Sequence, residues 1–159
     1  MENPPERTPA GWRHTPSWLL TQTAHHAHRL VADGFSSLHA RGYHYRLLAT
    51  LAATGPASQA ELGRRSGIHV SDMVATINEL ADDALVERTP DPADRRRNIV
   101  SLTAAGRDRV RSLEKRLAQT QDELLAPLTP QEREHLTALL SRLLDHHDPR
   151  ATPPEQPTP

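Results

Sequence analysis

Apolar residues recur along most of this chain at helical steps of three and four. Trp18, Leu19, Ala27, Leu30, Val31, Phe35 and Leu38 form a first stripe, which Ser17 can cap and which ends near Gly42. Leu47, Leu48 and Leu51 mark a second helix over about 43–53, closed by Gly55-Pro56. Ser58 can cap a short helix over 59–65, with Glu61 near capping-box spacing. A turn at Ser66-Gly67-Ile68 leads to a longer helix over about 69–83, with Met73, Val74, Ile77, Leu80 and Ala81 expected on its inner face. Short helix, glycine-bearing turn and longer helix are the helix-turn-helix pattern.

The period then changes. Leu85-Val86-Glu87-Arg88-Thr89 and Ile99-Val100-Ser101-Leu102 read as two short strands. Between them, Asp91-Pro92-Ala93-Asp94 is turn chemistry, followed at once by Arg95-Arg96-Arg97. The segment is a β-hairpin with three guanidiniums at its tip. Helical spacing returns after Thr103, a cap for a long helix through Ala126 with Val110, Leu113, Leu117 and Leu124 at heptad-like intervals. Pro127 and Pro130 interrupt it, and Thr129-Pro130-Gln131-Glu132 starts a last helix carrying Leu136, Leu139, Leu140, Leu143 and Leu144. These leucines can pack within one chain, or against the first helix across a subunit boundary.

Composition bounds what this architecture can do. The 159 residues suit a single domain, read here as a flexible arm over 1–16, a folded region over 17–147 and a proline-rich tail over 148–159. With no cysteine, a disulfide framework, a Cys-ligated zinc site and thiol redox sensing are excluded. No apolar run spans a membrane and no signal segment opens the chain, so a soluble cytoplasmic protein is expected. Net charge is −1, but it is unevenly placed. Residues 88–116 hold nine basic and four acidic side chains, whereas residues 117–159 hold three and seven. One region faces anions and another faces elsewhere.

A helix-turn-helix followed by a hairpin is a winged helix-turn-helix. Its second helix would enter the major groove, with Ser71, Asp72, Ala75, Thr76 and Glu79 outward. Ser71 and Thr76 can bond bases or phosphates, Asp72 can accept from cytosine, and Ala75 can meet a thymine methyl. No Lys or Arg occurs from Ser66 to Glu87, so attraction to phosphate falls to Arg64 and Arg65 before the turn and to Arg95, Arg96 and Arg97 after it. The wing tip fits a narrow minor groove. There Asp94 either pins the Arg96 guanidinium or caps the turn, and both roles are compatible.

Ala84-Leu85-Val86-Glu87-Arg88, the Asp-Pro-x-Asp-Arg-Arg-Arg wing and Val100-Ser101-Leu102-Thr103-Ala104-Ala105-Gly106 together resemble the signature of MarR-family transcriptional regulators. The resemblance covers about residues 17–147. It implies a mainly α fold with a two- to three-stranded wing. The DNA-binding lobe would occupy 43–102, and dimerisation helices 17–42 and 103–147. It further implies a homodimer on a pseudo-palindromic duplex operator, an autoregulatory repressor released by a small ligand, and Asp94 and Arg96 as the family's wing pair. Two departures matter. Val74-Ala75 stand where the family often has Thr-Arg, and Ala93 where many members have Arg.

The family's ligand cleft would bring His39, Arg41, Tyr43, His44, Tyr45 and Arg46 into play, a set suited to an aromatic or phenolic anion. These residues can equally pack and snorkel at a helix junction. Ten histidines raise a zinc-responsive alternative through His25 and His28, three apart on one helix, and His146-His147. Zinc-sensing members of the family use histidines on the long helix, and Thr103 to Ala126 has none. No cofactor is required. An enzyme is not expected, since no nucleophile elbow, phosphate-cradling glycine loop or His-Glu-x-x-His is present. A helical interaction module without DNA binding would account for the leucine stripe and leave the wing unexplained.

Overall fold

The computed structural model describes residues 11–148. Its elements are α1 (Pro16–Ser36), α2 (Gly42–Thr54), β1 (Ala57–Ser58), α3 (Gln59–Ser66), α4 (Val70–Asp82), β2 (Val86–Pro90), β3 (Asn98–Leu102), α5 (Ala104–Leu124) and α6 (Pro130–His147). By internal contacts the chain divides into one unit up to Gln121 and a second from Asp122. Among the described residues no helix is long and apolar enough to cross a membrane.

The first unit is built on Leu47, Leu48 and Leu51 of α2, Leu62 of α3, and Met73, Ile77 and Leu80 of α4, all buried. Val86 and Val100 add the inner face of the sheet, and Val110 and Leu113 add α5. Each such side chain, withdrawn from water, contributes on the order of 1.5–3 kcal/mol. The sheet has strand order β1-β3-β2, and both pairings are antiparallel. Its hairpin register sets Val86 opposite Leu102 and Pro90 opposite Asn98. The hairpin was expected from alternation. The two-residue β1, pairing Ala57 with Val100, is too short for any period to reveal.

Local chemistry sets most boundaries. Ser58 accepts the Glu61 N–H at 3.4 Å and so caps α3, which ends at Gly67 with φ 65, the left-handed region that glycine enters without penalty. Thr103 Oγ1 accepts the Gly106 N–H at 2.9 Å and donates to the Ala84 carbonyl at 2.8 Å, tying the start of α5 to the turn before β2. Gly106 has to be glycine there. A Cβ would stand 2.0 Å from the Leu85 carbonyl oxygen.

The first helix differs from expectation at both ends. It begins at Pro16, where a missing N–H costs nothing, so Ser17 lies inside the first turn and does not cap it. It stops at Ser36, well before Gly42, because His39 turns the chain with φ 54. Of the expected N-terminal arm, Gly11–His14 form a 3-10 helix, and Trp12 meets Trp18 edge-on at 5.6 Å. Residues 1–10 of that arm and 149–159 of the expected tail lie outside the described residues.

In the second unit, Thr129 and Glu132 form the expected capping box of α6. The Glu132 carboxylate accepts the Thr129 N–H at 2.8 Å and its hydroxyl at 2.9 Å, which holds it below the usual carboxylate range. Arg133 bridges Asp122 at 2.8 Å and the Leu128 carbonyl at 3.2 Å, bracing the turn between the helices. Leu139, Leu140, Leu143 and Leu144 stand exposed along α6.

Candidate nucleic-acid interface

The wing tip is organised by its acidic residues. Asp91 Oδ1 accepts the Ala93 N–H at 2.9 Å, and Asp94 Oδ1 accepts the Arg96 N–H at 3.1 Å. Backbone bonds from Asp91 N–H to the Arg97 carbonyl at 2.8 Å, and from Arg97 N–H to the Asp94 carbonyl at 2.9 Å, close the loop. Of the two roles open to Asp94, capping is the one made. Its carboxylate serves the backbone of Arg96, and among the described residues no carboxylate pairs with Arg95, Arg96 or Arg97. Three exposed guanidiniums therefore project from a hydrogen-bonded turn.

Helix α4 presents a different face from the one expected. Thr76 is only 4% exposed, and its hydroxyl donates to the Asp72 carbonyl at 2.7 Å. It cannot reach a base or a phosphate. Val74, expected inward, is 46% exposed. The physical reason is spacing: Met73, Thr76, Ile77 and Leu80 lie at i, i+3, i+4 and i+7, one continuous stripe, and a threonine whose hydroxyl bonds backward is acceptable within it. Val74 falls outside that stripe despite its hydrophobicity. The outward face is thus Ser71, Val74, Ala75 and Asn78, with Asp72 half-buried at its edge. Ser71 is partly committed, since its hydroxyl meets His69 Nδ1 at 2.9 Å.

Glu79, also expected outward, is engaged inside the protein. It bonds His44 Nε2 at 2.7 Å and Arg41 at 3.4 Å. The Arg41 N–H donates to His44 Nδ1 at 3.3 Å, so Nε2 carries the proton given to Glu79. That hydrogen bond, then the Arg41 charge, holds the Glu79 carboxyl below its usual value. The two arginines before the turn also diverge. Arg64 is exposed, whereas Arg65 is paired with Glu61 at 2.5 Å.

Arg65 instead faces a cleft of about 590 Å³, lined also by Val31 and Phe35 of α1, Tyr45, Arg46 and Thr50 of α2, and Leu117 of α5. Two of the six residues expected at a ligand site, Tyr45 and Arg46, line it. His39, Arg41, Tyr43 and His44 do not: Arg41 and His44 are turned to Glu79, and Tyr43 lies beneath the Arg46 guanidinium at 5.8 Å. Burial, and then the Glu114 carboxylate, push the Tyr45 phenol up, so it remains a neutral hydrogen-bond donor. Phe35, packed on Tyr45 at 5.3 Å, is a further wall residue, which its place in the apolar stripe of the first helix did not single out.

His25 and His28 are exposed on α1, while His146 and His147 contact each other edge-on at 4.8 Å. Among the described residues no group of three or more His, Cys, Asp or Glu is placed to hold a metal ion. The zinc alternative thus finds no ligand set there.

Comparison with known proteins agrees with this architecture. The sequence pattern of the MarR family matches residues 37–97. The HTH-type transcriptional repressor NicR of Pseudomonas putida is 31% identical over 98 residues, 62% of this chain and 62% of that protein. Matches to the curated relatives span 59–62% of their length. Among solved structures, a probable transcriptional regulator from Pseudomonas aeruginosa is 30% identical with a TM-score of 0.73, over 83% of this chain and 98% of that one. The PcaV transcriptional regulator from Streptomyces coelicolor, in complex with its natural ligand, is 25% identical with a TM-score of 0.71, over 87% of this chain and 97% of that one.

Proposed function

We propose that this chain, which belongs to the MarR family of transcriptional regulators, is a ligand-released repressor that binds duplex DNA as a homodimer. Helix α4 enters the major groove, with Ser71, Asp72 and Ala75 toward base edges, and the wing arginines enter the adjacent minor groove. The observation that carries this reading is the wing tip, where Arg95, Arg96 and Arg97 project, without carboxylate partners among the described residues, from a turn closed by Asp91 and Asp94. A solvated loop has no need of such preorganisation.

In this reading residues 43–102 form the DNA-binding lobe, and 17–42 with 103–147 hold the dimer together. The exposed leucines of α6 are its apolar contact surface. The cleft takes an aromatic acid: Arg46 faces the carboxylate, Tyr45 offers a neutral donor, and Phe35 stacks. NicR is named a repressor and PcaV binds a natural ligand, which supports repression and release here. The protein acts by binding rather than catalysis, in the bacterial cytoplasm.

The test is an electrophoretic mobility shift of duplex from upstream of the protein's own reading frame. Binding at low salt, weakened by Arg96→Ala with a shallower dependence on salt, is expected. Failure to shift any duplex at low salt rules the reading out. Release by benzoate or hydroxybenzoate tests the cleft separately.

A further inference from the structure

The outward face of α4 carries no cation, yet one cation rests against it. Arg88, on β2, places Nη2 2.6 Å from Oδ1 of Asn78, in the second half of α4. Arginine has only donors, so the Asn78 atom it meets is the carbonyl oxygen. The bond spans ten residues of sequence and joins the wing to the recognition helix.

The identity of the acceptor decides what Arg88 can do. Arg41 and Arg65 are each paired with a carboxylate, which takes up much of their attraction for an external anion. Asn78 is a neutral amide. It fixes the position of the Arg88 guanidinium and leaves its charge whole. Both side chains are exposed, so the remaining N–H donors of Arg88 face solvent. The Asn78 oxygen that a bidentate bond to adenine would use is already engaged by Arg88, so its first role is to position that guanidinium.

We infer that Arg88, positioned by Asn78, is a phosphate-contacting residue of the DNA interface that supplies the recognition helix with the cation it lacks. The inference rests on the DNA-binding reading above. A phosphate rather than a base is its partner, because Arg88 lies beside the second half of α4, whereas base edges are reached from the N-terminal residues of such a helix. Its contribution is therefore independent of sequence and dependent on salt.

Titration of the full chain against a duplex that the wild type binds, and against a scrambled duplex, at several salt concentrations tests this. Arg88→Ala is expected to weaken both complexes by a similar factor and to reduce the salt slope by about 1 per subunit. Arg88→Lys keeps the slope. Asn78→Asp retains the acceptor oxygen but neutralises Arg88, so it should hold or raise the melting temperature while lowering affinity for both duplexes. A merely structural role for the pair leaves only direct repulsion between the new carboxylate and DNA, so Asn78→Asp would then cost as much affinity in an Arg88→Ala background as in wild type; a smaller cost in that background is expected here. Unchanged slope in Arg88→Ala, loss confined to one base pair, or wild-type affinity in Asn78→Asp each overturns the inference. Wild-type protein that binds no duplex overturns the DNA-binding reading and this inference with it. Wild-type binding with a silent Arg88→Ala overturns this inference alone.

Discussion

Glu79 of α4 and His44 of α2 are joined by a 2.7 Å hydrogen bond across 35 residues of sequence. His44 is held in turn by the Arg41 backbone N–H, so the bond ties the C-terminal half of α4 to the first turn of α2. That same turn supplies Tyr45 and Arg46 to the cleft. The wall of the cleft and the helix proposed to read DNA therefore share one polar link.

Acid should dissolve that link. The His44 hydrogen bond lowers the Glu79 carboxyl below its usual 4.5, so the ionised form is favoured by folding. A carboxylate depressed in this way contributes stability above its unfolded value, and that contribution is lost as pH falls through the folded one. Glu79→Gln is expected to melt below wild type at neutral pH, with the gap closing as pH drops through the carboxylate range. Thermal melts across pH 3–8 (about the span needed) check this, and a gap independent of pH would show the bond carries no charge-linked stability.

Thr76 and Asp72 should separate cleanly in their effects. Thr76→Val replaces a buried hydroxyl already satisfied by the Asp72 carbonyl, so sequence preference should be unchanged and stability altered by less than about 2 kcal/mol. Asp72→Ala should shift preference at one or two base pairs, because its side chain stands at the edge of the outward face. Binding-site selection on randomised duplexes reads both. A changed preference in Thr76→Val would contradict its placement in the core.

Gly106→Ala should destabilise the first unit. The added methyl would sit 2.9 Å from a methyl of Leu102, which can turn away, and 2.0 Å from the Leu85 carbonyl oxygen, a backbone atom that cannot yield without shifting the entry to the hairpin. Overpacking of this kind costs roughly 1–3 kcal/mol. A denaturant midpoint equal to wild type would mean that α5 can slide at no cost.

Dimerisation is addressed by Leu140→Asp. Leu140 lies in the exposed leucine stripe of α6, and a carboxylate buried at an apolar subunit contact costs several kcal/mol. Sedimentation equilibrium should then report monomer, against the dimer proposed for wild type. A surviving dimer would move the interface off this helix.

Much of this protein is written locally. Caps at Ser58, Thr103 and Thr129, the glycine turn at Gly67 and the Asp-rich hairpin tip each act through bonds to residues within a few positions, so a linear reading finds them. The helix-turn-helix and the wing follow from those signals. Thr76 was also legible, through its i+3 and i−4 places in the stripe of Met73 and Leu80, had spacing been weighted above hydrophobicity.

What tertiary structure decided is which polar groups remain available. Arg65 and Arg96 look alike in sequence. One is turned to a cleft lined by α1, α2 and α5, and the other stands exposed at the wing tip. Arg41 and His44 leave the expected ligand set because packing of α2 against α4 brings Glu79 within reach, and Arg88 gains a neutral partner because β2 runs beside α4. Local bonds depend on neighbours that covalent geometry guarantees. The pairing of distant charges depends on how helices and strands pack, and a charge or an amide on an exposed position carries no periodic signal of where its partner lies.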